Sequence, residues 1–165
     1  MSQQPVPQTK TAQTGLNSVL VALGPKDAER VTRLGEEAVD IAGPAGATVV
    51  ITHVFTREEF DSRVDTLGFD RDAADVSPDA VAVRYSPVRE LADLLDEAGV
   101  DYEIRGAIGH YGEKVVEVAE ELDTDLVLVG GRKRSPTGKA VFGSVAQEVM
   151  LSAPCPVTFV RADTK

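Results

Sequence analysis

A chain of 165 residues with 17 basic and 27 acidic side chains, and so a formal charge of -10, has room for one compact domain and too little for two ordinary ones. With 42% hydrophobic and 27% charged residues it has the composition of a globular fold; no run approaches a membrane span, and a pI near 4.6 sets the average surface against nucleic acid. The single cysteine, Cys155, excludes an internal disulfide and any multi-cysteine metal site, and its place between Pro154 and Pro156 reads as packing.

Residues 1–15 are rich in Gln, Thr and Pro and lack the apolar stretch of a secretory signal. They read as a flexible tail before a domain over residues 16–162, and the expected location is the cytoplasm. Residues 19–23 are wholly apolar, the pattern of a strand covered on both faces in a parallel sheet. Gly24-Pro25-Lys26-Asp27 breaks the run. From Ala28 the apolar positions Val31, Leu34, Ala38 and Ile41 recur at spacings of three and four, one stripe on a helix with Asp27 as its N-cap. Gly43-Pro44-Ala45-Gly46 reads as the end of that helix, and residues 48–55 as a second, β-branched strand.

Residues 56–85 show no sustained period and read as a variable excursion with room for a short helix. Residues 87–98 recover helical spacing and stop at Gly99. Residues 100–108 alternate apolar and charged side chains, which suits an edge strand. A further helix over residues 113–122 leads into a second wholly apolar strand, residues 125–129, which should be central like the first.

That strand runs into Gly130-Gly131-Arg132-Lys133-Arg134 and, after Lys139, into Gly143-Ser144. Backbone N–H groups at two glycines and a helix start, beside four cations in an acidic protein, read as a phosphate-binding loop. Ser144 caps the last helix, with Gln147 completing a capping box, and residues 157–160 form a fifth strand at a sheet edge. Strands alternating with helices imply one doubly wound α/β domain. If the two apolar strands are neighbours, the loops after Leu23 and Val129 face one another across the crevice where such sheets bind ligands.

These residues resemble the universal stress protein family, whose final third carries Gly, two residues, Gly, nine residues, Gly, then Ser or Thr. Here the positions are Gly130, Lys133, Gly143 and Ser144, followed by Val145-Ala146 and the approach Ala153-Pro154-Cys155-Pro156-Val157. His53-Val54 closing the second strand agrees, as does Gly109 before Val115 and Ala119. The resemblance implies a five-stranded parallel sheet in the order 3-2-1-4-5. It implies a homodimer through residues 157–160, and ATP or a related adenine nucleotide as ligand, with magnesium. By motif position, Gly130, Gly143, Ser144 and Val145 meet phosphate, Arg132 lies over it, and Val54 and Val129 line the adenine. The family's acidic residue after the first strand is Gly24 here, and a motif glycine is Lys133. Losing a carboxylate-to-hydroxyl bond costs about 1.5–3 kcal/mol, which predicts weakened nucleotide binding.

Several other chemistries are excluded. Gly138-Lys139 is followed by Ala140, where a Walker loop needs Ser or Thr for magnesium, and no G-x-G-x-x-G follows either apolar strand. His53 and His110 lack the spacing of a metal pair, and Ser144 has no nucleophile elbow. The expectation is a binding module without catalytic residues. A slow ATP hydrolase or phosphotransferase, and a dimeric interaction scaffold without nucleotide, are the alternatives.

Overall fold

The computed structural model describes residues 15–24, 27–70, 72, 76–131 and 143–161. In chain order the elements are β1 (Ser18–Leu23), a 3-10 turn (Ala28–Arg30), α1 (Val31–Ala45), β2 (Thr48–Phe55), α2 (Arg57–Thr66), α3 (Pro78–Ala82), α4 (Ser86–Ala98), β3 (Tyr102–Ile108), α5 (Tyr111–Glu121), β4 (Leu126–Gly131), α6 (Ser144–Ser152) and β5 (Val157–Arg161). Of the tail read over residues 1–15, only Gly15 is among the described residues.

The five strands are parallel in the order β3-β2-β1-β4-β5, the expected doubly wound sheet. α1 and α4 cover one face over Val19, Val21, Leu23, Ile51 and Leu128; α5 and α6 cover the other over Leu20, Ala22, Val127 and Val129. Both faces of β1 are therefore dry, which is why residues 19–23 tolerate no polar side chain. β1 and β4 are neighbours, with Ala22 opposite Val129, so the winding direction reverses between them.

Three boundaries differ from the sequence reading, each for a local reason. α1 continues through Gly43 and Pro44 to Ala45 and stops at Gly46, whose φ of 67° is left-handed. Proline's fixed φ is helical, so in the final turn it costs only a backbone bond. β4 runs through both glycines, and Gly131 pairs with Arg161. A Cβ on Gly131 would lie 2.6 Å from the Phe159 ring of β5, so glycine is what lets the strand continue. α6 takes Gly143, not Ser144, as N-cap, and the Gln147 N–H donates to the Gly143 carbonyl at 3.0 Å. With glycine as N-cap no side chain caps the helix there, and the capping box read at 144 and 147 is not what opens α6.

The described residues of 56–85 include two helices. α2 opens on a capping box in which the Thr56 hydroxyl accepts the Glu59 N–H at 3.0 Å and the Glu59 carboxylate accepts the Thr56 N–H at 2.9 Å. α3 is capped by Ser77. Phe60 and Val64 of α2 and Val81 and Ala82 of α3 join Phe55 in a small third core. α3 docks on the outer strand β3 because Gly106 leaves room: the Pro78 carbonyl lies where a side chain would stand, and the Gly106 N–H donates to Asp79 Oδ1 at 2.6 Å. At the opposite edge, β5 has no outer strand partner among the described residues. Cys155 is half-buried against the α5/α6 face, as its packing role requires. Among the described residues, no helix is long and apolar enough to cross a membrane.

Candidate functional site

β1 and β4 end side by side, and the chain leaves the first toward α1 on one face and the second toward α6 on the other. The described residues expected at a ligand site lie as follows. Gly24 follows β1 and is buried, and Gly130 is half-buried in the last part of β4. Val54 and Val129 lie in the α5/α6-face core, 2% and 3% exposed. Gly143 is exposed at the α6 N-cap, with Ser144 and Val145 as the first helical residues. The Gln147 N–H is the first to reach an intrahelical carbonyl, so those of residues 144–146 have no such partner. Arg132 and Lys133 lie outside the described residues, as does the rest of the segment 132–142.

Three residues that sequence reasoning did not assign to the site meet at these same strand ends. Asp27 is 5% exposed; its Oδ2 accepts the Gly24 N–H at 2.7 Å and its Oδ1 takes the Arg30 guanidinium in an ion pair. The carboxylate thus turns back toward β1, and it makes no bond capping the helical turn it precedes. Burial pushes its pKa up, against the pull of the Gly24 N–H and of Arg30. Arg30 Cδ and Asp27 Oδ1 lie 3.4 and 3.5 Å from the position a Cβ would take on Gly130, so the pair bridges the end of β1 to the end of β4.

From the other face, Tyr111 lays its ring on Gly24, and a Cβ at residue 24 would be 2.6 Å from Tyr111 Cε2. Burial holds the Tyr111 hydroxyl well above its usual pKa; the Asp27 charge adds to this and Arg30 opposes it. The phenol is therefore neutral and sits in the field of the ion pair. The crevice expected to lack a carboxylate at position 24 contains one, delivered three residues later. The i,i+3 spacing of Asp27 and Arg30 was a visible signal, but the N-cap reading had already used the aspartate.

The two histidines take other tasks. His53 is buried, its Nδ1 is 2.9 Å from the Leu23 carbonyl, and its ring lies between those of Phe55 and Tyr85. A carbonyl only accepts, so Nδ1 carries the proton, and the residue ties β2 to β1. His110 precedes α5, is exposed, and pairs through Nε2 with Glu148 of α6 at 3.0 Å. Among the described residues, no group of three or more His, Cys, Asp or Glu is placed to hold a metal ion.

The sequence profile of the universal stress protein family matches residues 15–161. A universal stress protein of Mycolicibacterium smegmatis is 36% identical over 90 residues, which are 54% of this chain and 69% of that protein. Among solved structures, a universal stress protein in complex with cAMP is 24% identical with a TM-score of 0.62, over 91% of this chain and 100% of that one. The universal stress protein from Archaeoglobus fulgidus in complex with dAMP is 21% identical with a TM-score of 0.56, over 90% of this chain and 100% of that one. At these identities the two structures speak for the fold.

Proposed function

This chain belongs to the universal stress protein family, and on that premise we propose that it is a nucleotide-responsive binding module whose β1/β4 crevice takes an adenine nucleotide such as ATP. The observation that carries the reading is the placement of Gly130 at the end of β4, beside the end of β1, in a chain whose next described helix opens at Gly143-Ser144. Solved relatives with cAMP and dAMP bound support the ligand class. In this reading, the N–H groups of Gly130, Gly143, Ser144 and Val145 face phosphate. Arg132 and Lys133 add charge, Val54 and Val129 line the base side, and Gly24 lies at the ribose.

Magnesium fits this chain poorly. It is usually held by one or two carboxylates together with phosphate oxygens and water. At the mouth of the crevice the described carboxylate is Asp27, which is already bonded to the Gly24 N–H and paired with Arg30, a cation that repels another. Nucleotide binding in this reading therefore depends on backbone and basic groups alone, and hydrolysis has no protein-held metal to draw on.

The module acts as a homodimer in the cytoplasm, paired through residues 157–160. The place of β5 at the sheet's edge, with no strand beyond it among the described residues, supports this, as does Leu151 on α6, which is 87% exposed. Native mass spectrometry with and without ATP and magnesium tests the whole reading. Retained ATP on a dimer is the expected result, released ADP would make it a hydrolase, and a bare dimer at millimolar ATP would make it a scaffold and overturn the proposal.

A further inference from the structure

We infer that Arg30 is the residue by which this site distinguishes a nucleotide from its nucleoside: its guanidinium, held over Gly130 by the buried Asp27, receives the phosphate nearest the ribose. The inference rests on the adenine-nucleotide reading above and adds to it a residue outside the glycine-rich motif.

Sheet order places Arg30. β2, with Val54, lies on one side of β1, and β4, which leads to α6, lies on the other. A ligand reaching from the Val54 side to the start of α6 crosses the ends of β1 and β4 at its middle, and the middle of an adenosine phosphate is the ribose and its first phosphate. Arg30 stands at that middle on the α1 face of the sheet, beside Leu34, with Cδ 3.4 Å from the Cβ position of Gly130, while Val54 and the start of α6 belong to the other face, so a ligand meets it across the strand ends. Its side chain is 18% exposed, mostly packed but still in reach of solvent.

The chemistry fits the same assignment. A guanidinium presents five N–H donors in a rigid fork, and the ion pair with Asp27 engages Nη1 alone. The remaining donors suit the oxygens of a phosphate. Asp27 is fixed in turn by the Gly24 N–H, so Arg30 is held in place before any ligand arrives, which lowers the cost of ordering it on binding. Asp27 itself repels a phosphate, and Arg30 is the group that stands between the two negative charges.

Isothermal titration with adenosine, AMP and ATP, on the full chain and on Arg30→Gln, tests the assignment. Losing one charge-assisted contact should weaken AMP and ATP about 10- to 100-fold and leave adenosine within about twofold. Arg30→Lys should recover only part of the loss, because an ammonium lacks the fork. Asp27→Asn keeps an oxygen for the Gly24 N–H but removes the charge that holds Arg30, so its effect should fall on AMP and ATP and leave adenosine within about twofold; it carries the test if Arg30→Gln fails to fold. Equal change for adenosine and AMP in either variant, or no loss in Arg30→Gln, overturns the inference while leaving the nucleotide reading intact. A wild-type chain that binds none of the three at millimolar concentration overturns both.

Discussion

Gly24 and Tyr111 are a matched pair, and the match explains why an acidic side chain is absent from position 24. The Tyr111 ring occupies the space into which any Cβ there would project. Introducing the acid by Gly24→Asp should therefore cost about 1–3 kcal/mol through overpacking, which in a chain of this length is about 2–4 °C of Tm per kcal/mol. Tyr111→Ala in the same molecule should return much of that loss, a non-additivity that a thermal double-mutant cycle would read directly. His53 carries a second prediction. Burial lowers its pKa, with Glu59 and Arg63 of α2 acting in opposite directions on it. Its folded pKa lies below the unfolded value near 6.5, so the unfolded chain takes up a proton first as pH falls. Stability present above about pH 6.5 is then lost below it, at no more than about 1.4 kcal/mol per pH unit. Melts between pH 7.5 and 5.5 should show a falling Tm in the wild type and a flatter profile in His53→Gln. The composition of the site is less legible than its location at this scale. Asp27 looks like an N-cap in the sequence; whether its carboxylate turns forward or back is decided by the Gly24 N–H and by Arg30.

Elements whose character comes from burial on both faces are plain in the sequence. β1 is legible because it is wholly apolar, β2 because it is β-branched and apolar apart from the buried Thr52 and His53, and α4 because its apolar stripe ends at Gly99, whose φ of 72° favours glycine. What depends on a distant partner is not legible. The continuation of β4 through Gly131 depends on a ring from β5, and the docking of α3 depends on Gly106, which lies on β3 beyond the whole of α4 in the chain. α2 was hidden for a different reason. It buries only Phe60 and Val64, too few to set up a period, and its real signature is the capping box between Thr56 and Glu59. Thr56→Ala should accordingly cost about 1 kcal/mol and lower Tm by about 2–4 °C. Hydrogen exchange should quicken across α2 and stay unchanged in α1.

At the scale of the molecule, a formal charge of -10 means that acidic side chains repel one another over the whole surface. Potassium chloride screens that repulsion over a Debye length that falls to about 3 Å at 1 M. Tm should rise as KCl is raised toward molar concentration, and a flat or falling series would contradict this account. The reversal point between β1 and β4 is also a whole-molecule property, and it is readable because parallel topology leaves few options: two wholly apolar strands must be central, and the reversal must fall between them. The two rims of the sheet, however, are unlike. At β3, Pro78 and Asp79 stand against Gly106; at β5 no strand lies on the outer side among the described residues. In the proposed pairing through β5, each copy turns its own obstructed β3 rim outward. Self-association of that kind would halt after one addition, and the start of α3 at Pro78 would guard the protein against endless fibrous growth.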